Sequence, residues 1–201
     1  MLRAFLSAVL LLSLPGLVLA QHAGHGGSDG GDRHQETVRV DGLRIDLENP
    51  PPGSSVGRSM AFVQDSYLQV IYGRPIKRGR IIFGGLVGYD QVWAMGAHYA
   101  TELIVTEPVL FGGERLDAGV YSLSALPTPE AWTIHVNRVL GMHLADLYDP
   151  ANNVLAVTVP VEPQDEVTER LTIEFEAAED GVDLHVAWDQ VRVQVPVRPF
   201  R

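Results

Sequence analysis

The chain contains no cysteine. That absence removes disulfides, thiolate zinc sites, iron–sulfur clusters and cysteine nucleophiles together. Aromatic residues are few at 7%, and basic residues are outnumbered, 15 against 25 acidic. The formal net charge of −10 argues against a nucleic-acid partner, because a phosphate backbone calls for a basic face. Long apolar stretches are missing as well. The longest, residues 4–14, falls short of the about 20 residues that a bilayer span takes. Nor do strand-like and helix-like patterns alternate, which excludes a nucleotide-binding α/β fold. What is present is an acidic chain of 201 residues, 46% hydrophobic, with enough apolar material for one core.

Arg3, the apolar run after it, the Pro15-Gly16 break and the small residues up to Ala20 read as a signal peptide (1–20) cut after Ala20. The protein is therefore expected to be periplasmic or secreted, and not membrane-spanning once the signal is removed. With no disulfide available in an oxidising compartment, its core has to hold it together unaided. Residues 21–36 follow as a Gly/His-rich tail, too poor in apolar side chains to offset its ordering entropy. His22, His25 and His34 are its candidate transition-metal ligands. Their spacing fits no closed structural site, and a solvated linker is the plainer reading.

Residues 37–201 read as a single β domain, because from Thr37 onward side chains alternate with a period of two. Residues 37–40 and 43–47 flank Asp41-Gly42, a strong hairpin signal, and residues 49–53 read as a proline-rich linker. Residues 67–72, 102–106 and 120–126 each read as a strand, and Gly112-Gly113 marks a second hairpin. In the C-terminal half Trp132, Ile134 and Val136 share one face, as do Leu171, Ile173 and Phe175. Val182, Leu184, Val186 and Trp188 do likewise, then Val191, Val193, Val195 and Val197 after a turn at Asp189-Gln190. Only residues 140–148 carry a helical spacing, through Leu140, Leu144 and Leu147. The fold class expected is all-β: an antiparallel β-sandwich or barrel-like sandwich of about ten short strands, with at most one or two short helices.

Several motifs invite a chemical reading. Gly53-Ser54-Ser55-Val56-Gly57 matches the hydrolase nucleophile pattern, but prolines precede it and no helix follows, so the elbow has no scaffold. Arg74, Lys77, Arg78 and Arg80 crowd seven positions and can bind an anion, although such a loop more often pairs with the protein's own carboxylates. The segment from Trp93 to Glu102 gathers aromatics, a glycine, His98 and a carboxylate just ahead of a strand. His98 and Glu102 are candidates for an acid/base pair or a shared metal. His135, Asp183 and His185 are candidate metal ligands if their strands prove to be neighbours; otherwise each is an ordinary side chain on a polar sheet face.

The chain resembles the bacterial domain of unknown function 2911 family over about residues 63–197. The resemblance rests on the run from Arg74 through Lys77-Arg78-Gly79-Arg80 to Gly84-Gly85-Leu86-Val87, then Val92-Trp93, Gly96-Ala97 and Ala100-Thr101. Further matches are Ala118-Gly119-Val120-Tyr121-Ser122-Leu123, Trp132-Thr133-Ile134 and Ala187-Trp188. It implies an exported, mostly β domain and no established activity. The family pattern has arginine after the tryptophan and asparagine after Gly-Ala, where this chain has Ala94 and His98. A later aspartate and arginine of the pattern are Asn153 and Ala156 here.

The reading favoured is a non-catalytic envelope protein that binds a small ligand, a glycan or another envelope protein, with no resident cofactor. Trp93, His98, Tyr99, Arg74 and Arg80 are its expected ligand-binding residues. The alternative is a metal-dependent or acid/base hydrolase-like enzyme using His98 and Glu102, or His135, Asp183 and His185. A weaker alternative is transition-metal binding by the histidine-rich tail.

Overall fold

Alternating strands each have one apolar face to bury, and the simplest way to bury two such faces is against each other. A computed structural model describes residues 54–201, together with the backbone of two short strands ahead of them. Those are β1 (Val38–Val40) and β2 (Leu43–Ile45), paired antiparallel with Val40 opposite Leu43, the register of the expected hairpin. The expected signal peptide, His22, His25 and His34 of the tail, and the linker at residues 49–53 lie outside the described residues.

Ten further strands follow in order. They are β3 (Ser54–Val63), β4 (Ser66–Pro75), β5 (Thr101–Val105), β6 (Val109–Phe111) and β7 (Glu114–Leu116). Next come β8 (Gly119–Pro127), β9 (Ala131–Asn137), β10 (Asn153–Pro160), β11 (Glu162–Ala178) and β12 (Gly181–Pro199). They form two antiparallel sheets, ordered β10-β9-β8-β5-β4-β3 and β11-β12-β6-β7, and neither closes into a barrel. The core lies between them. Trp132 and Ile134 of the larger sheet and Leu184 and Val193 of the smaller are at most 1% exposed and belong to one cluster.

Strand β12 is 19 residues long. At about 3.3 Å per residue, a straight strand would hold Gly181 and Val197 about 50 Å apart. Instead a Cβ added at Gly181 would collide with the Val197 carbonyl oxygen, and Arg198 Nη1 donates to the Val182 carbonyl at 2.7 Å. The run therefore doubles back, and it does so at Asp189, whose φ is 57°. The turn expected at Asp189-Gln190 is there, and both arms keep their valines on the core face.

One strand carries little signal in the sequence, and one local expectation needs correction. Ser54–Val63 is a strand although its pattern reads poorly, because it points small residues inward (Gly57, Ser59, Ala61) and leaves Val56, Met60 and Phe62 exposed. Residues 140–148 are not helical. Leu140, Leu144 and Leu147 are exposed, and Met142, off the supposed helical stripe, is the buried residue. Gly141 and Leu144 take left-handed φ values of 67° and 53°. The segment bonds to residues 98–100 and makes two isolated turn bonds, Asp146 N to the His143 carbonyl and Tyr148 N to the Ala145 carbonyl, rather than a helical ladder. Among the described residues the only helical element is one 3-10 turn, Pro150–Asn152. No helix among them is long and apolar enough to cross a membrane.

Candidate functional site

Between β4 and β5 the chain runs through residues 76–100 with only isolated bridges. Connections of that length inside a compact domain are uncommon and are frequently functional. This one is anchored at several points. Ile82 and Met95 are fully buried, and Trp93 exchanges both backbone hydrogen bonds with Ala125 at 2.8 Å, taking a place beside β8. Its start is tied to the smaller sheet. Lys77 N donates to the Glu169 carbonyl at 2.7 Å, Arg78 N donates to Glu169 Oε1 at 2.8 Å, and Lys77 Nζ meets Asp189 Oδ2 at 2.7 Å. Its end is tied to the 140–148 segment, where Ala100 N donates to the Met142 carbonyl at 2.9 Å and Leu144 N to the His98 carbonyl at 3.0 Å.

These ties frame a cleft of about 540 Å³, within the range of small-molecule sites. Trp93 and Trp188 lie on its walls, and Leu86 and Leu144 are exposed apolar residues at its edge. All three tryptophans of the chain meet behind it. Trp93 stacks on Trp188 with centroids 6.0 Å apart and stands edge-on to Trp132 at 5.7 Å, while Phe83 packs against Trp132 at 4.9 Å. Such contacts hold the rings rigidly. Three buried side-chain polar atoms have no hydrogen-bond partner among the described residues: Ser122 Oγ, Ser124 Oγ and, in this aromatic group, Trp188 Nε1. A buried donor of this kind calls for an explanation.

The basic side chains of the lining have no acidic counterpart beside them. Arg78, Arg80, His98 and His143 line the cleft; none of the chain's aspartates or glutamates does so among the described residues. Arg80 is held by the backbone, with Nε donating to the Lys77 carbonyl at 3.0 Å and Nη2 to the Ile76 carbonyl at 2.6 Å. His143 Nδ1 lies 3.1 Å from Asp146. Four non-glycine residues of the connection, Arg78, Asp90, Met95 and His98, take left-handed φ values of 50°, 57°, 53° and 69°. Strain of this kind gathers at binding sites.

Of the ligand-binding residues expected from sequence, Trp93, His98 and Arg80 line the cleft; Arg74 and Tyr99 do not. Arg74 instead crosses to β11, where Nε donates to the Leu171 carbonyl at 3.2 Å. Tyr99 bridges to His143 through the backbone. His98 and Glu102 are not brought together as a pair, since Glu102 accepts from the Gly141 amide at 3.4 Å. His135 and His185 belong to different sheets, so the neighbouring strands that a shared metal site would need are absent. His135 Nδ1 lies 3.1 Å from the Tyr148 hydroxyl, and Asp183 accepts from Gln194 and Arg198. His185 Nδ1 accepts from Arg192 Nε at 2.9 Å and its Nε2 lies 3.3 Å from Glu176. Among the described residues no group of three or more His, Asp or Glu is arranged to hold a metal ion.

The family model for a protein of unknown function, DUF2911, matches residues 54–197. The chain belongs to this family. No curated protein and no solved structure matches it. Ala94 and His98 line the cleft, whereas Ala156 is exposed on β10 and Asn153 bonds to Asn137 and Tyr148. Sequence reasoning overlooked His143 and Trp188 as cleft residues. Nothing local marks either one; each joins the site through a pairing distant in sequence.

Proposed function

We propose that this DUF2911 protein is an exported, non-catalytic binder of a small molecule, and that the cleft beside Trp93 and Trp188 is its binding site. The observation that carries the reading is the cleft itself, lined by Trp93 and Trp188 of the packed aromatic group, the second with a buried indole N–H that has no acceptor among the described residues. Concave sites with apolar walls and a few placed polar groups are what small ligands require. Binding is favoured over acid/base catalysis because among the described residues no hydrogen bond or ion pair joins His98 to a carboxylate that would orient or activate it, Glu102 accepting instead from the Gly141 amide. Export follows from the signal-like residues 1–20.

The test is a thermal-shift screen of the full mature protein against sugars, organic acids and aromatic acids, repeated with His98→Ala. His98 carries no side-chain bond that the fold requires. A compound that raises the Tm of the wild type but not of the variant supports the cleft as the site. Equal shifts in both proteins would move the site elsewhere, and no shift with any compound would remove the reading.

A further inference from the structure

Within this acidic protein, basic residues usually have carboxylates to meet, yet among the described residues Lys77 alone of the 74–80 cluster forms an ion pair, with Asp189. Arg74 spends its guanidinium on the Leu171 carbonyl and the Thr172 hydroxyl of β11. Arg80 spends two of its donors on neutral carbonyls, which hold the group in place without cancelling its charge. Arg78 is the clearest case. Its backbone is pinned by Glu169, while among the described residues its guanidinium has no hydrogen-bond or ion-pair partner. Both arginines face the same cleft, with His98 and His143 on the opposing loops and no carboxylate between them. Trp188 is on the same lining, and its buried Nε1–H lacks an acceptor among the described residues.

Resting on the ligand-binding reading above, we infer that the cleft selects a ring-bearing anion: its acidic group at Arg78 and Arg80, its ring along Trp93, and an acceptor atom facing Trp188 Nε1. A guanidinium held by backbone carbonyls is pre-organised for a carboxylate, sulfate or phosphate, and a second, unengaged guanidinium beside it gives the anion two partners. The ring is required by the wall: an indole presents a flat face that a planar or sugar ring covers and a compact ion does not. The acceptor answers the indole N–H, which has no acceptor among the described residues and which a ligand oxygen or nitrogen would satisfy. Aromatic acids and acidic sugars share this chemistry.

The experiment is isothermal titration calorimetry on the full mature protein with five probes: benzoate, benzamide, glucuronate, glucose and inorganic phosphate. Expected is binding of at least one ring anion at least about tenfold tighter than its neutral counterpart and than phosphate, weakening as salt rises. The benzoate and glucuronate arms separate an aromatic acid from an acidic sugar. Arg78→Gln, which removes no side-chain hydrogen bond or ion pair among the described residues, should weaken the anion by about tenfold and leave the neutral probe unchanged. Trp188→Phe should weaken it as well. Equal affinity for an anion and its neutral counterpart, or no effect of Arg78→Gln, would overturn the charge assignment while leaving the cleft as a ligand site. Phosphate binding as tightly as the ring anions would overturn the ring requirement. No heat with any probe would overturn both.

Discussion

Gly73 of β4 is where the sheet and the cleft wall come closest. A Cβ at that position would stand closer than 3.0 Å to the Ala97 carbonyl oxygen and at 3.0 Å from the Ala97 carbonyl carbon and nitrogen. All three are backbone atoms, so no side chain can rotate aside. In Gly73→Ala the segment that carries Ala97 and His98 has to retreat by roughly 1 Å to restore ordinary contact distances. Overpacking of this kind costs about 1–3 kcal/mol. For a domain of this size that is a fall in Tm of roughly 2–12 °C. Urea unfolding followed by tryptophan fluorescence measures it directly, and the slope against urea should stay constant while the midpoint falls. Gly79 provides the contrast: no atom lies within 4 Å of a Cβ there, but φ is 69°. Gly79→Asn should therefore cost little, since asparagine tolerates the left-handed region, whereas Gly73→Asn should be at least as damaging as the alanine. Should Gly73→Ala lose less than about 0.5 kcal/mol, or Gly79→Asn cost as much, the distinction between steric and conformational glycines is wrong.

Two further outcomes follow from buried groups. His135 and His185 both have pKa values below the ordinary 6.5, His135 through burial and His185 through burial first and then the Arg192 charge. Each is held neutral in the folded state, so the unfolded chain binds more protons between the lowered value and 6.5. Their contribution to stability is complete above about pH 6.5 and is lost as pH falls through the native values. Urea midpoints measured from pH 7.5 to pH 5 should decline, and the decline should shrink in the His135→Gln, His185→Gln double variant; an equally steep decline there would refute the assignment. Trp132 is 1% exposed and packs against both Phe83 and Trp93, so Trp132→Ala should cost about 3–5 kcal/mol in urea unfolding. A loss under about 1 kcal/mol would mean that the aromatic cluster is not part of the core.

The all-β architecture was legible wherever inward residues were large and outward ones polar. Trp132-Thr133-Ile134 and Leu171-Thr172-Ile173 alternate in this way, and the burial follows them. Gly112-Gly113 was readable too, since both take positive φ, at 60° and 89°, between two short strands. The pattern misled where burial is decided by neighbours. Strand β3 turns its large residues outward, and Leu140, Leu144 and Leu147 hold a helical spacing with nothing on the far side to bury them against. Part of the site was visible as a basic loop and a tryptophan–histidine segment. Which cations stay unpaired was not visible, because Lys77 finds Asp189, and Arg74 finds Leu171, only once β11 and β12 lie beside them.

Period-two alternation and tight-turn residues act over a few positions, so the chain by itself determined that this protein is a sandwich of antiparallel strands. It also determined the acidic composition and the cysteine-free core, which need no coordinates to state. Only the tertiary structure decided that His135 and His185 stand on separate sheets and that His98, His143, Arg78 and Trp188 share one cleft. The physical reason is range. Strand formation is set by local sterics and burial of one face, whereas a binding site is set by which distant loops the sheet register brings to the same end of the sandwich.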